Sequence, residues 1–357
     1  MEYKVWLMEG LSSQRDIIQG IKNFAHENKK TITVFASHRD PRNEILSCAD
    51  HSLTEPKDLS ERLSFILDTV RKWRINALHA GKNSQWFEEH RLQIEAAGVT
   101  LTTGASGAEH LAIADDKAAF ADYMTQHDLP AVPTVRISSL AELQAHISAP
   151  PFSGSLCVKP VTGIYGMGFW RFDNHASPMA VFNNPEKRVV HPEAYLAAAA
   201  GAESFTPLVL MPYLPGPEHS VDILATQGEV LAAIGRRKEG ALQYLENSGE
   251  AFDLACACAR VMKADGLVNV QTRHDHTGKP VLLETNMRPS GGIGYTRHCG
   301  VNLPGLFAFY QLGLMTKNEV MYSASTSFAP AVVRSITDVI PWPAQLTNQL
   351  DKGERCL

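Results

Sequence analysis

What this sequence lacks narrows its function before any motif is considered. It has no excess of positive charge: 33 Lys and Arg stand against 38 Asp and Glu, a net charge of −5. No basic field therefore points to nucleic acid or to an anionic membrane surface. No apolar run approaches the roughly 20 residues of a membrane-spanning helix. Six cysteines scattered through 357 residues do not make a disulfide framework. The opening MEYKVWLMEG lacks the basic flank and long apolar core of a secretion signal, and Cys356, next to last, does not fit a prenylation signal. The expected location is the cytoplasm. Internal repeats and low-complexity tracts are also missing.

What is present is alternation. YKVWLM, TITVFAS and INALHAG are short apolar runs, separated by QRDIIQGIKNFAHE, DLSERLSFILDTVRKW and FEEHRLQIEAAG, which carry helical apolar spacing. This predicts a parallel sheet flanked by helices over roughly the first hundred residues. The first turn, MEGLSSQRD, has one glycine rather than a dinucleotide fingerprint, so a redox cofactor is not expected there. A second organisation then begins. AEHLAIADDKAAFADYMTQHDLP reads as one amphipathic helix stopped by Pro130 and Pro133. SLCVKPVTGIYGMGFWRF reads as strand, glycine-rich turn and strand, and TPLVLMPYLPGPEHSVDILATQGEVLAAIGRRKEG as three strands. SGEAFDLACACARVMKADG reads as a buried helix, and LVNVQTRHDHTGKPVLLETNMR as a hairpin. Antiparallel strands with helices on one side predict an α+β module.

Three stretches carry chemistry. In VLLETNMRPSGG an apolar strand delivers Glu284, Asn286 and Arg288 at every second position, hence on one face. Gln271, across the hairpin, can join Glu284 and Asn286 as a third oxygen ligand, a set that suits magnesium also held by phosphates. A solvated hairpin face would explain a lone Glu-x-Asn, but Leu282 and Leu283 suggest a strand covered on both sides, where a charge needs a partner. In KPVTGIYGMG, Gly163, Gly166 and Gly168 can bring backbone N–H groups to phosphate oxygens, Thr162 can add a hydroxyl and Lys159 a positive charge. The Gly-Lys-Ser/Thr ending of a Walker loop is missing, and a plain hairpin turn explains these glycines equally well. In LMPYLPGPEHSVDIL, Pro212, Pro215 and Pro217 force the backbone out of regular pairing, which frees polar groups for a flat base, or simply marks an edge strand.

The order DDKAAF, VKP with its glycine loop, MPYLPGPEHSVD, NVQ and ETNMRPSGG resembles the ATP-grasp superfamily, in its carbamoyl-phosphate-synthetase-like and amino-acid-ligase-like branches. The resemblance covers residues 108–322. It implies a pre-ATP-grasp domain over 1–107, a first half with the lid loop over 108–206, a second half with the metal and substrate site over 207–322, and an extension over 323–357. It implies that two α+β halves clamp ATP, with magnesium, or manganese in its place, bridging the phosphates. Lys117 and Lys159 match the phosphate-contacting lysines, Gly163 to Gly168 the closing loop, and Met211, Pro212 and Leu214 the hinge that reads adenine. Glu218 matches the ribose-binding carboxylate. Gln271, Glu284 and Asn286 match the metal ligands, Gln271 standing where an acidic residue is commoner. Arg288 matches the arginine that holds the reacting acid, and Arg236, Arg237 and Asp222 lie on clamp-lining strands.

The implied activity is an ATP-dependent carboxylate–amine ligase that forms an acyl phosphate and releases ADP and phosphate. Its partners would be a small carboxylic acid, an amino acid among the candidates, and an amine; a homodimer is compatible. The alternatives are a carboxylase or phosphotransferase on the same fold, or an ATP-binding regulatory protein without turnover. The intact lysines, Glu284, Asn286 and Arg288 argue against the last, and no biotin-attachment motif supports a carboxylase. Cys256 and Cys258 read as core, and His274 and His276 as solvent-facing turn residues. Tyr295, Arg297 and His298 are candidates for substrate selection.

Overall fold

The computed structural model describes residues 2–10, 13–163 and 166–340; Ile164 and Tyr165 of the glycine loop, and Cys356, lie outside the described residues. Contacts divide the chain into two compact units. One comprises the described residues of Met1–Gly104, Glu239–Leu245 and Arg288–Leu357; the other is Ala105–Lys238 with Glu246–Met287.

In the first unit, β1 (Tyr3–Leu7), β2 (Ile32–His38), β3 (His51–Thr54), β4 (Ala77–His79) and β5 (Thr100–Thr102) form a parallel sheet in the order β3-β2-β1-β4-β5. The winding direction reverses between β1 and β4. Because β1 is paired on both edges and covered on both faces, Val5, Trp6 and Leu7 are all buried. Helix α1 (Gln14–Glu27) turns Ile17, Ile18 and Ile21 inward at helical spacing. The late helix Leu303–Gln311 packs against α1 through paired glycines: a Cβ on Gly305 would lie 2.3 Å from Phe24 Cβ, and one on Gly20 2.9 Å from Pro304 Cβ. Asn302 Nδ2 donates to Gly20 O at 2.8 Å, and the Phe24 and Phe309 rings meet edge-on at 4.7 Å. FEEHRLQIEAAG is not one helix but two, Ser84–Glu89 and Arg91–Glu95, because the backbone leaves helical geometry at His90 (φ −105°, ψ 7°).

The second unit holds two sheets. Strands Val135–Ile137, Leu156–Pro160, Trp170–Phe172, Val189–Val190 and Leu208–Pro212 make the first, packed around Leu143, Val158 and Leu210. Glu218–Thr226, Glu229–Glu239, Ala264–His274 and Pro280–Asn286 pair antiparallel in the second. Helix Glu250–Val261 covers it, with Cys256 and Cys258 in the core, as the sequence reading expects. The stretch expected as one helix is two, Ala108–Asp115 and Lys117–Gln126. Asp116 turns extended (φ −103°, ψ 107°) and its side chain accepts from Ala118 N–H and Ala119 N–H at 3.0 Å each, an N-cap that restarts the helix. Among the described residues no helix is long and apolar enough to cross a membrane, and Cys48, Cys157, Cys256, Cys258 and Cys299 are free thiols.

Candidate active site

The break at Asp116 puts Lys117 on the first turn of its helix, where Nζ donates to Val161 O at 3.3 Å and Gly163 O at 3.4 Å. Lys159, on the Leu156–Pro160 strand, is buried and reaches Glu284, Nζ to Oε2 3.2 Å. Burial is the largest influence on Glu284 and pushes its pKa up. The charges of Lys159 and Lys117, with hydrogen bonds from Lys159 and Asn286, outweigh it and hold the carboxyl below its usual range. Burial, with Lys159 beside it, pushes Lys117 down. Two ammonium groups thus face one carboxylate, an excess of positive charge prepared for an anion.

Glu284 reaches that position through a β-bulge. Gln271 pairs with Glu284 as the hairpin reading predicts, but Thr272 pairs with Leu282, so Leu283 has no partner across the ladder. At a bulge the inward–outward alternation slips by one residue. Leu282 accordingly enters the core with Val270 and Cys258, while Val281 and Leu283 lean on the cluster of Ala118, Val161, Met211 and Leu214. Thr285 and Met287 return to the buried side, and Glu284 and Asn286 stay on the side of Lys159. With strict alternation Glu284 would share the inward side of Leu282.

Register shows which polar residues share this face. Lys238, Glu218 and Arg273 lie across from one another; Arg236, Ser220, Gln271 and Glu284 form the next row; Asp222, Asn269 and Asn286 form the third. Glu218 is ion-paired with Lys238 and lies 3.8 Å from Arg273 Nη1. Asp222 and Arg236 are buried, with Arg236 Nε donating to Asp222 Oδ2 at 2.7 Å. Ser220 and Asn269 belong to the same set, although neither was singled out in the sequence. The polar–apolar–polar triplets Ser-Val-Asp and Asn-Val-Gln were the available signal.

The glycine loop joins two antiparallel strands, Leu156–Pro160 and Trp170–Phe172. Gly163, Gly166 and Gly168 have φ of 147°, 61° and 72°, a backbone that favours glycine. Thr162 is exposed, and Gly166 O accepts from Arg188 Nη1. Met211 and Leu214 are buried and Pro212 is half-buried; the backbone leaves the ladder after Pro212, with Tyr213 N–H donating to Ser155 O at 2.7 Å. Met211 and Leu214 pack in the apolar cluster of Ala118, Val132, Val161 and Val209. His276 is exposed, but His274 is half-buried with its ring 5.1 Å from that of His219, so it does not simply face solvent.

Arg288 belongs to the first unit. With Pro289 it lines a small cavity at the carboxyl ends of β1 and β4, shared with Met8, Gln14, His79 and Gly81. This is where the winding of the sheet reverses, a recurrent ligand position in such folds. Burial pushes His79 down to about 4, so its imidazole is neutral at pH 7. Tyr295 is half-buried and Arg297 and His298 are exposed, all on the turn of helix Ile293–Cys299.

Glu284, Gln271 and Asn286 offer one carboxylate and two carboxamide oxygens. Among the described residues no cluster of three or more His, Cys, Asp or Glu is placed to hold a metal. The donor set therefore fits a hard cation that phosphate oxygens also ligate, rather than a closed protein cage.

Comparisons with known proteins agree with this architecture. Residues 204–337 match the family model described as ATP-grasp in the biosynthetic pathway with Ter operon. Among curated protein sequences there is no match. Among solved structures, an N5-carboxyaminoimidazole synthase from Aspergillus clavatus, in complex with ADP and 5-aminoimidazole ribonucleotide, is similar at TM-score 0.64 and 16% identity, over 93% of this chain and 81% of that one. An L-amino acid ligase from Bacillus licheniformis is similar at TM-score 0.60 and 14% identity, over 92% and 77%. The biotin carboxylase domain of Hydrogenobacter thermophilus 2-oxoglutarate carboxylase, with MgADP and bicarbonate, is similar at TM-score 0.56 and 17% identity, over 86% and 69%. The N-terminal parallel sheet and the two-sheet module that follows give the chain the fold of these ATP-grasp neighbours, and residues 204–337 carry the match to an ATP-grasp family model.

Proposed function

We propose that this protein is an ATP-dependent ligase that activates a small carboxylic acid as its acyl phosphate and joins it to an amine, releasing ADP and phosphate. The observation that carries this reading is the cluster of Lys117, Lys159 and Glu284, with Gln271 and Asn286 on the same face. A bare carboxylate is a poor electrophile, since hydroxide is a bad leaving group; as an acyl phosphate it can be attacked by an amine. Phosphoryl transfer asks a protein mainly for positioning and charge neutralisation. Lys117 and Lys159 hold the phosphates, and Glu284, Asn286 and Gln271 hold magnesium, which neutralises charge on the transferring group. Met211, Pro212 and Leu214 seat the base, Glu218 meets the ribose, and the backbone of Thr162, Gly163, Gly166 and Gly168 closes over the phosphates and keeps water out. Arg288 grips the acid.

The ADP released by the purified protein with magnesium ATP, across a panel of amino and keto acids with and without amine acceptors, tests the reading. ADP formed only when both acid and amine are present supports it. The N5-carboxyaminoimidazole synthase and biotin carboxylase neighbours favour a second reading, in which the activated acid is bicarbonate. Bicarbonate-dependent ADP release, without response to organic acids, would replace the first reading with the second. Failure to bind magnesium ATP would remove both.

A further inference from the structure

Four polar side chains on the face that carries Glu284 form a buried network: Ser220, Asp222, Arg236 and Asn269, none more than 4% exposed. Arg236 uses the side edge of its guanidinium, with Nε donating to Asp222 Oδ2 at 2.7 Å and Nη2 to Ser220 Oγ at 2.9 Å. Asn269 Nδ2 donates to Asp222 Oδ1 at 2.9 Å, to Ser220 Oγ at 3.0 Å and to Val221 O at 3.1 Å. Both acceptors that hold Arg236 are therefore themselves held by one carboxamide.

A fully buried carboxylate and guanidinium are costly to desolvate, and a pair of apolar residues would fill the space at least as stably. A network of this kind earns its place by fixing a direction. The side edge of the guanidinium is committed to Asp222 and Ser220, which fixes the plane and direction of the side chain that begins the row of Arg236, Ser220, Gln271 and Glu284. Asn269 sits in the adjoining row, directly across from Asn286. A carboxylate at position 269 would repel Asp222 and compete for Arg236; a carboxamide supplies donors without charge.

We infer that Asn269, acting with Ser220 through Asp222, is the positioning residue that aims Arg236 at the phosphates of the bound nucleotide. The inference rests on the ATP reading of this site. Asn269 touches no reactant; its effect is transmitted through the orientation of one arginine.

Nitrogen–proton NMR of the arginine Nε–H groups tests this without a known acid substrate. The Arg236 Nε–H, sequestered on Asp222, should exchange slowly with water, and its resonance is assigned by its loss in Arg236→Lys. Addition of a magnesium-bound, non-hydrolysable ATP analogue should shift that resonance in the unmodified protein. In Asn269→Ala the Nε–H should exchange at least tenfold faster and the nucleotide-dependent shift should vanish, with calorimetric affinity for the analogue within about threefold of the parent. Ser220→Ala, a smaller change, should show the same pattern more weakly and serves if Asn269→Ala does not fold. An unchanged Nε–H in either folded variant would overturn the positioning role. An analogue that binds without shifting the resonance in the parent would show that Arg236 is not aimed at the phosphates. An analogue that does not bind at all would overturn the ATP reading itself, and this inference with it.

Discussion

Lys159 and Glu284, 125 residues apart in the chain, meet with Nζ 3.2 Å from Oε2. The pair joins the two sheets of the second unit at the point where the proposed metal and phosphates converge. Glu284→Gln keeps the shape of the side chain and removes its charge. ATP turnover should fall at least about a hundredfold, the scale on which one preorganised electrostatic group acts. Circular dichroism should show the parent fold. Turnover at the parent rate by purified Glu284→Gln would dismiss Glu284 as a metal ligand.

Lys159 is the complementary half. Lys159→Ala should weaken magnesium ATP binding by roughly 1.5–3 kcal/mol, the range for hydrogen bonds to charged groups. Loss of the lysine also leaves Glu284 with less compensation for burial, so the carboxyl pKa should rise toward its ordinary value. Unchanged nucleotide affinity by calorimetry would take Lys159 out of the site.

A pH effect on stability comes from the first unit. Glu9 is buried, which pushes its pKa up, but hydrogen bonds from Arg39 and Lys82 and the nearby His38 more than reverse this and bring it down to about 2 from 4.5. A carboxyl whose folded pKa is depressed contributes fully above its unfolded value and loses that contribution as pH falls through the folded one. Glu9 should therefore stabilise the fold by roughly 3 kcal/mol above about pH 5, vanishing between about pH 4.5 and 2. Urea denaturation of Glu9→Gln at pH 7 and pH 3 should show most of its deficit at pH 7. A deficit of equal size at both values would mean that Glu9 acts through packing alone.

The paired glycines between α1 and the helix Leu303–Gln311 set a steric limit. Gly305→Ala drives a methyl group to 2.3 Å from Phe24 Cβ, so one helix must move. Overpacking of this kind costs about 1–3 kcal/mol. Thermal melting of Gly305→Ala should shift down accordingly, whereas Gly313→Ala, with nothing within 4 Å of its Cβ but a φ of 67°, tests backbone strain separately. A Gly305→Ala protein as stable as the parent would show that the helices can part freely.

These features differ in how far the sequence discloses them. The alternating apolar runs reveal the parallel sheet because strand and helix periods are local signals. The pairing of Gln271 with Glu284 is legible because a short polar turn joins their strands. The bulge at Leu283 is not, since it depends on how Leu282 and Leu283 divide between two cores built from distant segments. The helix break at Asp116 leaves a trace, Asp-Lys before an apolar run, but an uninterrupted apolar stripe conceals it. The return of the helix Leu303–Gln311 to α1 is invisible locally, for Gly20 and Gly305 acquire meaning only when the two helices touch. Ser220 and Asn269 lie inside the quoted stretches HSVD and NVQ but received no role, because a neutral polar residue in a strand looks like surface until its burial is known.

Arg288 carries the proposal about the acid. RPSGG places an arginine just before two glycines, and Arg288 lines the cavity at the carboxyl ends of β1 and β4. A guanidinium can grip a carboxylate through two parallel N–H bonds, which an ammonium cannot reproduce. Arg288→Lys keeps the charge and removes that geometry. Acid-dependent ADP release should fall at least about tenfold, near 1.4 kcal/mol in the transition state, while affinity for magnesium ATP changes much less. Equal losses in ATP affinity and turnover would instead make Arg288 a nucleotide residue, and the acid would then have to be sought beside Arg236.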